Sequence, residues 1–301
     1  MRVLPTAVVE LVADLNTAPN DLQPNSWPIL DQATAGGLTY FTTQTMFHGQ
    51  TVWRTDGTQV GTFPVFGDAP YSGKNDIWIQ EGIGNYLYFN VRALDALRPV
   101  ELWASDGSKE GTHIVHTGES TSFVPYGDGA VFVSNNGEQA VVYVTDGTQA
   151  ETRELLTLPG ESAIGPISVT AQGRMFVVAS HTDPNSSVQE PLSSVWVIDQ
   201  EGVEPRLLTP TVGPTLNRTI DGVAVVGESL YFTGTTDRLG KELWMTDGTA
   251  AGTRIVAEDT PGDWGYSLNI LGTLGEQVIF MGGTPQTYQS LWAFGPGSNV
   301  H

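Results

Sequence analysis

The feature that most constrains this chain is a repeated motif, in which an aromatic residue and an Asp-Gly pair are separated by two residues. The copies, from the best preserved to the most eroded, are residues 242–253, 101–112, 52–62, 143–152, 195–199 and 291–294. Their aromatic positions lie 40–53 residues apart. That period matches one blade of a β-propeller and exceeds an ankyrin or leucine-rich repeat.

The segments between the motifs have the pattern of short β-strands. They alternate apolar and polar residues, are rich in β-branched and aromatic residues, and show no sustained helical periodicity. In the fifth repeat the predicted strands are residues 217–225, 229–234, 241–246 and 253–257. In the second repeat they are residues 76–80, 86–90, 100–105 and 112–116. The 35 glycines and 18 prolines suit the many tight turns of such a fold.

The two ends of the chain predict a closed ring. Residues 8–15 have a strand pattern ahead of the first complete repeat, whereas the last repeat supplies strands at 267–274, 277–281 and 290–293 and little chain for a fourth. The sequence therefore predicts an all-β fold, a six-bladed β-propeller of four-stranded antiparallel blades. The N-terminal strand completes the last blade and removes a free sheet edge. We expect one domain over residues 1–301, and a seven-bladed ring is the alternative.

The Asp-Gly pair of the motif is typical of a turn between strands. The Asp side chain accepts hydrogen bonds from the backbone two residues on, and Gly adopts a positive φ. Thr58, Thr148 and Thr249 are placed to bond back across their turns. The alternative is that Asp56, Asp106, Asp146 and Asp247 bind calcium, but calcium needs six to eight oxygens and each turn offers one carboxylate. The aromatic residues are expected in the core, with sugar stacking as the alternative.

The best copies, Glu242 to Thr253 and Glu101 to Thr112, read Glu-Leu-Trp-x-x-Asp-Gly-[Thr/Ser]-x-x-Gly-Thr. This pattern resembles the bacterial ELWxxDGT repeat, and the likeness extends as a repeat over nearly the whole chain. The resemblance implies propeller blades in a large exported or surface protein, and it implies no particular activity. We therefore expect an extracellular, cell-surface or periplasmic setting. The residues after Met1 form no apolar signal segment.

Composition excludes several partners and chemistries. With 33 acidic and 13 basic residues, the net charge of −20 disfavours nucleic acid and anionic membranes. No apolar run is long enough for membrane insertion as a helix. The absence of cysteine excludes disulfides, thiolate metal sites and cysteine nucleophiles. His113 and His116 lie three apart in a predicted strand and should not chelate one ion.

Propeller topology places the variable loops on one face, and a binding site is expected there. These loops are residues 16–28, 66–75, 91–99, 181–192 and 259–266. The candidate ligand-binding residues, where these loops enter the inner strands, are Asn75, Asp76, Asn217, Arg218, Tyr266 and Asn269, with Trp27, Trp264 and Trp78 nearby.

The function expected from these observations is non-catalytic binding of a protein, glycan or small ligand. The alternative is a calcium-dependent hydrolase, because six-bladed lactonases hold calcium in their channel with acidic and amide side chains, as Asp76 with Asn75, Asn217 and Asn269 would. Against that alternative, Trp27-Pro28-Ile29 stands where the lactonases have a glutamate, and Arg218 would bring a positive charge near the ion. No catalytic residue is assigned, calcium is the only cofactor considered, and a structural spacer is a third hypothesis.

Overall fold

A computed structural model describes the chain in fourteen segments, and the statements below concern those segments. They are residues 9–13, 15, 29–45, 49–67, 75–94, 98–135, 139–157, 163–182, 191–199, 204–208, 216–236, 240–256, 268–283 and 290–295.

The described residues form 23 strands in six sheets. Sheet 1 contains β1 (Gln32–Ala35), β2 (Leu38–Thr45), β3 (Gly49–Thr55) and β4 (Phe63–Phe66). Sheet 2 contains β5 (Asn75–Ile83), β6 (Tyr86–Ala93), β7 (Glu101–Ser105) and β8 (Thr112–Thr117). Sheet 3 contains β9 (Ser120–Tyr126), β10 (Gly129–Asn135), β11 (Ala140–Thr145) and β12 (Arg153–Thr157).

The second half of the chain continues in the same way. Sheet 4 contains β13 (Ala163–Val169), β14 (Met175–Thr182), β15 (Pro191–Ile198) and β16 (Arg206–Leu207). Sheet 5 contains β17 (Leu216–Val226), β18 (Ser229–Thr236), β19 (Gly240–Thr246) and β20 (Arg254–Ile255). Sheet 6 contains β21 (Asn269–Leu274), β22 (Gln277–Gly282) and β23 (Ser290–Phe294).

Each sheet is an antiparallel meander in which strands adjacent in sequence are adjacent in space. Successive meanders of this kind are the blades of propeller folds. The structure therefore confirms the all-β prediction and the repeated antiparallel meander, and the six sheets agree with the six repeats counted in the sequence. The predicted strand 253–257 is too long, because Thr253 belongs to the motif turn and β20 spans only Arg254–Ile255.

The structure describes most residues of the predicted closing strand, and those residues do not form a strand. Residues 9–13 and 15 lie in no strand, and Val9 and Leu11 are 98% and 86% exposed. Sheet 6 has three strands within the described segments. Completion of the last blade by residues 8–15, and with it ring closure, stays a prediction.

The contacts divide the chain into two compact units. Unit 1 comprises residues 1–123, 128–130 and 145–152, and unit 2 comprises residues 124–127, 131–144 and 153–301. The core of unit 1 lies between sheets 1 and 2 and includes Val52, Leu87 and Phe89. Unit 2 has three such clusters of buried apolar side chains. The single domain over residues 1–301 stays a prediction.

Two motif aromatics, Trp103 and Trp244, pack between neighbouring sheets, as predicted, whereas Trp292 of sheet 6 is 36% exposed. In unit 1, the rings of Trp103 on β7 and Phe66 on β4 have centroids 4.7 Å apart. In unit 2, Trp244 is 2% exposed, stacks on Phe232, and belongs to a cluster that includes Phe176 of sheet 4. Burying an aromatic side chain of this size stabilises the fold by about 4–6 kcal/mol as an upper bound. The core is therefore built from contacts between successive sheets.

The motif turn is closed by its own side chains, which confirms the predicted turn chemistry. In sheet 5, Asp247 Oδ1 accepts hydrogen bonds from the Thr249 backbone N–H at 2.9 Å and from the Thr249 hydroxyl at 2.7 Å. Thr253 Oγ1 donates back to the Thr249 carbonyl at 2.7 Å. The same bonds recur at Asp56, Asp106 and Asp146. The following glycines have φ between +87° and +97°.

The second glycine of the motif makes room for the aspartate. A Cβ added to Gly252 would lie 2.0 Å from Asp247 Oδ1, and Gly61 and Gly111 are equally crowded by their aspartates. The copy in sheet 3 has Glu151 at this position, and the Glu151 N–H lies 3.3 Å from the Thr148 hydroxyl. The equivalent bonds in the three glycine copies measure 2.8–3.0 Å. Glycine at this position therefore allows the aspartate to approach closely, and the copy with Glu151 forms a slightly looser turn.

Three of these turns are also covered by a side chain of the preceding sheet. Arg54 Nη1 of sheet 1 donates to the Gly107 carbonyl at 3.4 Å, and His113 Nε2 of sheet 2 lies 2.9 Å from the Gly147 carbonyl. In unit 2, Arg174 Nη1, beside β14, donates to the Asp247 carbonyl at 2.6 Å. We call these bonds the covering contacts. They join each turn to the sheet before it in the chain.

Hydrogen bonding within the turns lowers the pKa of the motif carboxyl groups. The hydroxyl of Thr249 has the largest effect on the pKa of Asp247, and the Thr58 hydroxyl acts in the same way on Asp56. At Asp106, burial raises the pKa, but the hydrogen bonds from the Ser108 N–H and hydroxyl lower it more. The charged form is thus favoured in the folded chain.

The lowered pKa of Asp247 predicts acid sensitivity. A group whose pKa is lower in the folded state stabilises the fold above its unfolded value, here 3.8, and this contribution is lost as the pH falls through the folded value. The unfolding free energy of the wild type should fall between about pH 5 and pH 3. In Asp247→Asn we expect this fall to be smaller, by less than about 1 kcal/mol because the turn is exposed. Urea unfolding at a series of pH values measures it. Asp128→Asn, in an exposed hairpin, is the control, and an equal effect of both substitutions would contradict the assignment.

The covering contact of Arg174 predicts a stability difference between two arginines. Arg174 binds both the Asp247 carbonyl and Asp199 of its own sheet, whereas Arg206 also pairs with Asp199 but donates to no turn. We expect Arg174→Met to lower the unfolding free energy by about 1–2 kcal/mol, since both the Asp247 carbonyl and Asp199 lose a charged donor. Arg206→Met should cost less than about 1 kcal/mol, as an exposed ion pair does. Denaturant unfolding of both variants tests this, and equal losses would refute the role of the covering contact.

Candidate functional site

The strongest candidate binding surface lies on sheet 2, on the side that faces away from sheet 1. β5 and β6 pair so that Asp76 is opposite Arg92 and Trp78 is opposite Asn90. Alternate residues of a strand share a face. Ile77 and Ile79 pack in the core with sheet 1, so Asp76 and Trp78 are on the other face. We call Asp76, Trp78, Arg92 and Glu119 the Trp78 surface.

Arg92 is the central residue of this surface. Its guanidinium carbon lies 4.8 Å from the centroid of the Trp78 ring, within cation–π distance. Its Nη2 lies 3.6 Å from Glu119 Oε2. The side chains of Arg92 and Glu119 are 44% and 59% exposed, so their ion pair contributes less than about 1 kcal/mol to stability. Arg92 is therefore held in a defined orientation over an aromatic ring, although its ion pair adds little to the stability of the fold. Such an arrangement is typical of a recognition site.

A buried pair of hydrogen bonds fixes Glu119 beside Arg92. Asn90 Nδ2 donates to the Ser120 carbonyl at 2.8 Å, and the Ser120 N–H donates to Asn90 Oδ1 at 3.2 Å. The side-chain amide of Asn90 thus donates one hydrogen bond to β9 and accepts one from it, as a backbone peptide group of a neighbouring strand would. Gly118, whose N–H donates to the Val100 carbonyl, turns the chain between β8 and β9 with a φ of +143°. The surface therefore rests on backbone held by buried bonds.

The structure brings together only part of the predicted candidate set. Asn75 is buried and Asp76 half-buried, and as successive residues of β5 they point to opposite faces of the strand. Asn269, at the start of β21 in unit 2, is exposed. Asn217 and Arg218 are in β17, where only the backbone is described. Trp27, Trp264 and Tyr266 lie outside the described residues.

The predicted loop boundaries also need correction. β6 continues to Ala93, so residues 91–93 of the predicted loop 91–99 are strand, because their pairing with β5 extends to Asn75. Likewise, β14 continues to Thr182 and β15 begins at Pro191, which shortens the predicted loop 181–192 at both ends. The predicted loops 16–28 and 259–266 lie outside the described residues.

Metal-binding chemistry has limited support in the described segments. They contain no group of three or more His, Cys, Asp or Glu side chains placed to share a metal ion. The two β8 histidines have separate surroundings: His113 bonds the Gly147 carbonyl, and burial lowers the pKa of His116. The calcium set of Asp76 with Asn75, Asn217 and Asn269 stays a prediction. No helix in the described part of the chain could span a membrane.

No protein-family model and no curated protein matches the chain. Among solved structures, the chain is similar to a prolyl endopeptidase, with a TM-score of 0.52 and 11% identity over 84% of this chain and 39% of that one. It thus spans about two fifths of that enzyme's length. It also matches the β-propeller domain of the Trilobed protease from Pyrococcus furiosus, with a TM-score of 0.40 and 12% identity over 91% of this chain and 96% of that one.

A third similar structure is TolB from Acinetobacter baumannii, with a TM-score of 0.37 and 16% identity over 75% of this chain and 53% of that one. At these identities a structural likeness extends to the fold and carries neither substrate nor partner. The likeness to the prolyl endopeptidase therefore reaches no further than the fold, and a function has to be argued from the residues of this chain.

Proposed function

We propose that this chain is a six-bladed β-propeller of the ELWxxDGT-repeat kind that acts as a non-catalytic binding module and recognises a protein partner through the Trp78 surface. The motif turns and the six sheets support the propeller. The repeat family's typical setting supports an exported, cell-surface or periplasmic protein.

The observation that carries the proposal is the Arg92–Trp78 pair beside Glu119. Tryptophan and arginine are enriched among the residues that dominate protein–protein binding energy. An exposed guanidinium held on a ring offers planar, directed donors to a carboxylate or carbonyl of a partner. A glycan would stack on the indole face, but Arg92 already lies over that ring. The geometry therefore favours a protein or peptide over a sugar.

The charge of the chain adds a second element of selectivity. With a net charge of −20, the protein attracts basic partners at long range, and this attraction weakens as salt increases. Local recognition by Arg92 requires an acceptor group at the centre of the contact. The partner that fits both is a basic protein or peptide that carries a carboxylate or exposed carbonyl among its positive charges.

A peptide selection tests the proposal. A phage-displayed random peptide library is selected on the immobilised chain, and the affinity of a selected peptide is measured by calorimetry. We expect Arg92→Ala or Trp78→Ala to weaken binding by about thirtyfold, the loss of an interface residue worth about 2 kcal/mol. The matched control is Arg254→Ala, an exposed arginine of β20 outside the surface, and it should leave the affinity unchanged.

Three outcomes would overturn the proposal. One is a set of selected peptides whose affinity is the same for the wild type and for both surface variants, with melting curves that confirm folding. Another is a glycan-array signal that depends on Trp78, which would assign the surface to sugars. The third is a rise in melting temperature with CaCl2, reversed by chelator and accompanied by esterase activity, which would favour the calcium-dependent hydrolase.

A further inference from the structure

A polar groove of about 420 Å³ lies between the first strands of sheets 1 and 2 in unit 1. Its polar side chains come from both strands and from the start of β2, and they are Asp31, Gln32, Thr34, Thr39, Gln80 and Glu81. The volume is within the range of small-molecule sites. The groove is separate from the Trp78 surface, because Trp78 is on the opposite face of β5.

Hydrogen bonds between the two strands fix the width of this groove at both ends. At one end, the Ile79 N–H donates to Asp31 Oδ2 at 3.0 Å. At the other end, the Gly36 N–H donates to the Gly84 carbonyl at 2.9 Å. Next to that bond the strands approach so closely that a Cβ on Gly82 would lie 2.0 Å from the Thr34 carbonyl oxygen. These contacts hold β1 and β5 at a fixed separation along the groove.

A β-bulge brings two successive polar residues to the lining of the groove. The pairing of β5 with β6 shifts register between Ile79 and Glu81, which leaves Gln80 as the extra residue. Successive residues of a regular strand point to opposite faces, but Gln80 and Glu81 both line the groove. Bulges of this kind redirect side chains and are common next to functional sites.

The lining is rich in hydrogen-bond acceptors and carries negative charge. Asp31 and Glu81 supply two carboxylates, Gln32 and Gln80 supply side-chain carbonyls, and Thr34 and Thr39 supply hydroxyls. The lining includes no lysine, arginine or histidine. One oxygen of Asp31 accepts from Ile79 and the other from the Gln32 N–H, and each carboxylate oxygen can accept a further bond. A ligand that fits this lining is a cation with several N–H donors.

We propose that the groove between β1 and β5 binds an ammonium or guanidinium group, carried either by a small free amine or by the side chain of a peptide. Glu81 and Asp31 supply the charge, and Gln80 and Gln32 accept the remaining N–H groups. This site is independent of the function proposed for the Trp78 surface.

Titration with two cations and a neutral analogue tests the site. The probes are agmatine, the peptide acetyl-Gly-Arg-Gly-amide, and the same peptide with citrulline, in which an uncharged urea replaces the guanidinium. We expect one or both cationic probes to bind and to shift the backbone amide NMR signals of Gln32, Gln80 and Gly82. Binding of agmatine alone assigns a free amine, and binding of the arginine peptide assigns a side chain.

A matched pair of carboxylate substitutions completes the test. Glu81→Gln should weaken binding of the cationic probe about tenfold or more, the loss of one charge-assisted hydrogen bond. Glu81 is exposed, so this variant is expected to fold. Glu276→Gln, at an exposed hairpin of unit 2, should have no effect. The proposal is overturned if neither cation binds at millimolar concentration, if the citrulline peptide binds as well as the arginine peptide, or if Glu81→Gln leaves the affinity unchanged. It is also overturned if CaCl2, added without either amine, produces the same NMR signal shifts.

Discussion

The covering contact between a motif turn and the preceding sheet is the interaction on which the rest of the structure depends. The turn satisfies its own donors through the aspartate and the two hydroxyl residues, and this leaves a backbone carbonyl directed outward. Arg54 and His113 bind the carbonyl of the motif glycine, and Arg174 binds the carbonyl of the motif aspartate, in the turns of three different sheets. Each contact ties a turn to the sheet before it and thereby limits how far apart those two sheets can lie. In unit 1, the same two sheets enclose the contact between Trp103 and Phe66 and the groove between β1 and β5.

The sequence predicted the repeating part of this arrangement well. Strand positions, the Asp-Gly turn and the buried Trp follow from local rules that act within one repeat, so six copies reinforce one another. The covering residues could not be predicted in this way. Arg54 lies in β3, His113 lies in β8, and Arg174 comes just before β14. They occupy non-equivalent positions in their repeats and converge only in three dimensions, so no periodic pattern indicates them.

The candidate sites were predicted in part, for a related reason. Asp76 and Trp78 were found because they stand where a variable loop enters an inner strand. The sequence placed Arg92 in a loop. In the structure it lies in β6, because the pairing of β6 with β5 continues to the end of both strands. Glu119 comes from a connection of only two residues between β8 and β9. The bulge at Gln80 breaks the alternation on which strand prediction rests, so the groove that it shapes had no signal in the sequence.

The first motif turn differs from the others in one respect. Gly107, Gly147 and Gly248 are enclosed by side chains, whereas a Cβ at Gly57 would meet no described atom within 4 Å. Among the described residues, sheets 1, 2 and 4 each supply a donor to the turn of the sheet that follows, so these three contacts run in one direction along the chain. Since every such contact joins nearest neighbours only, whole repeats can be gained or lost in evolution without disturbing the rest. Natural variation in this architecture should then occur in steps of one complete sheet.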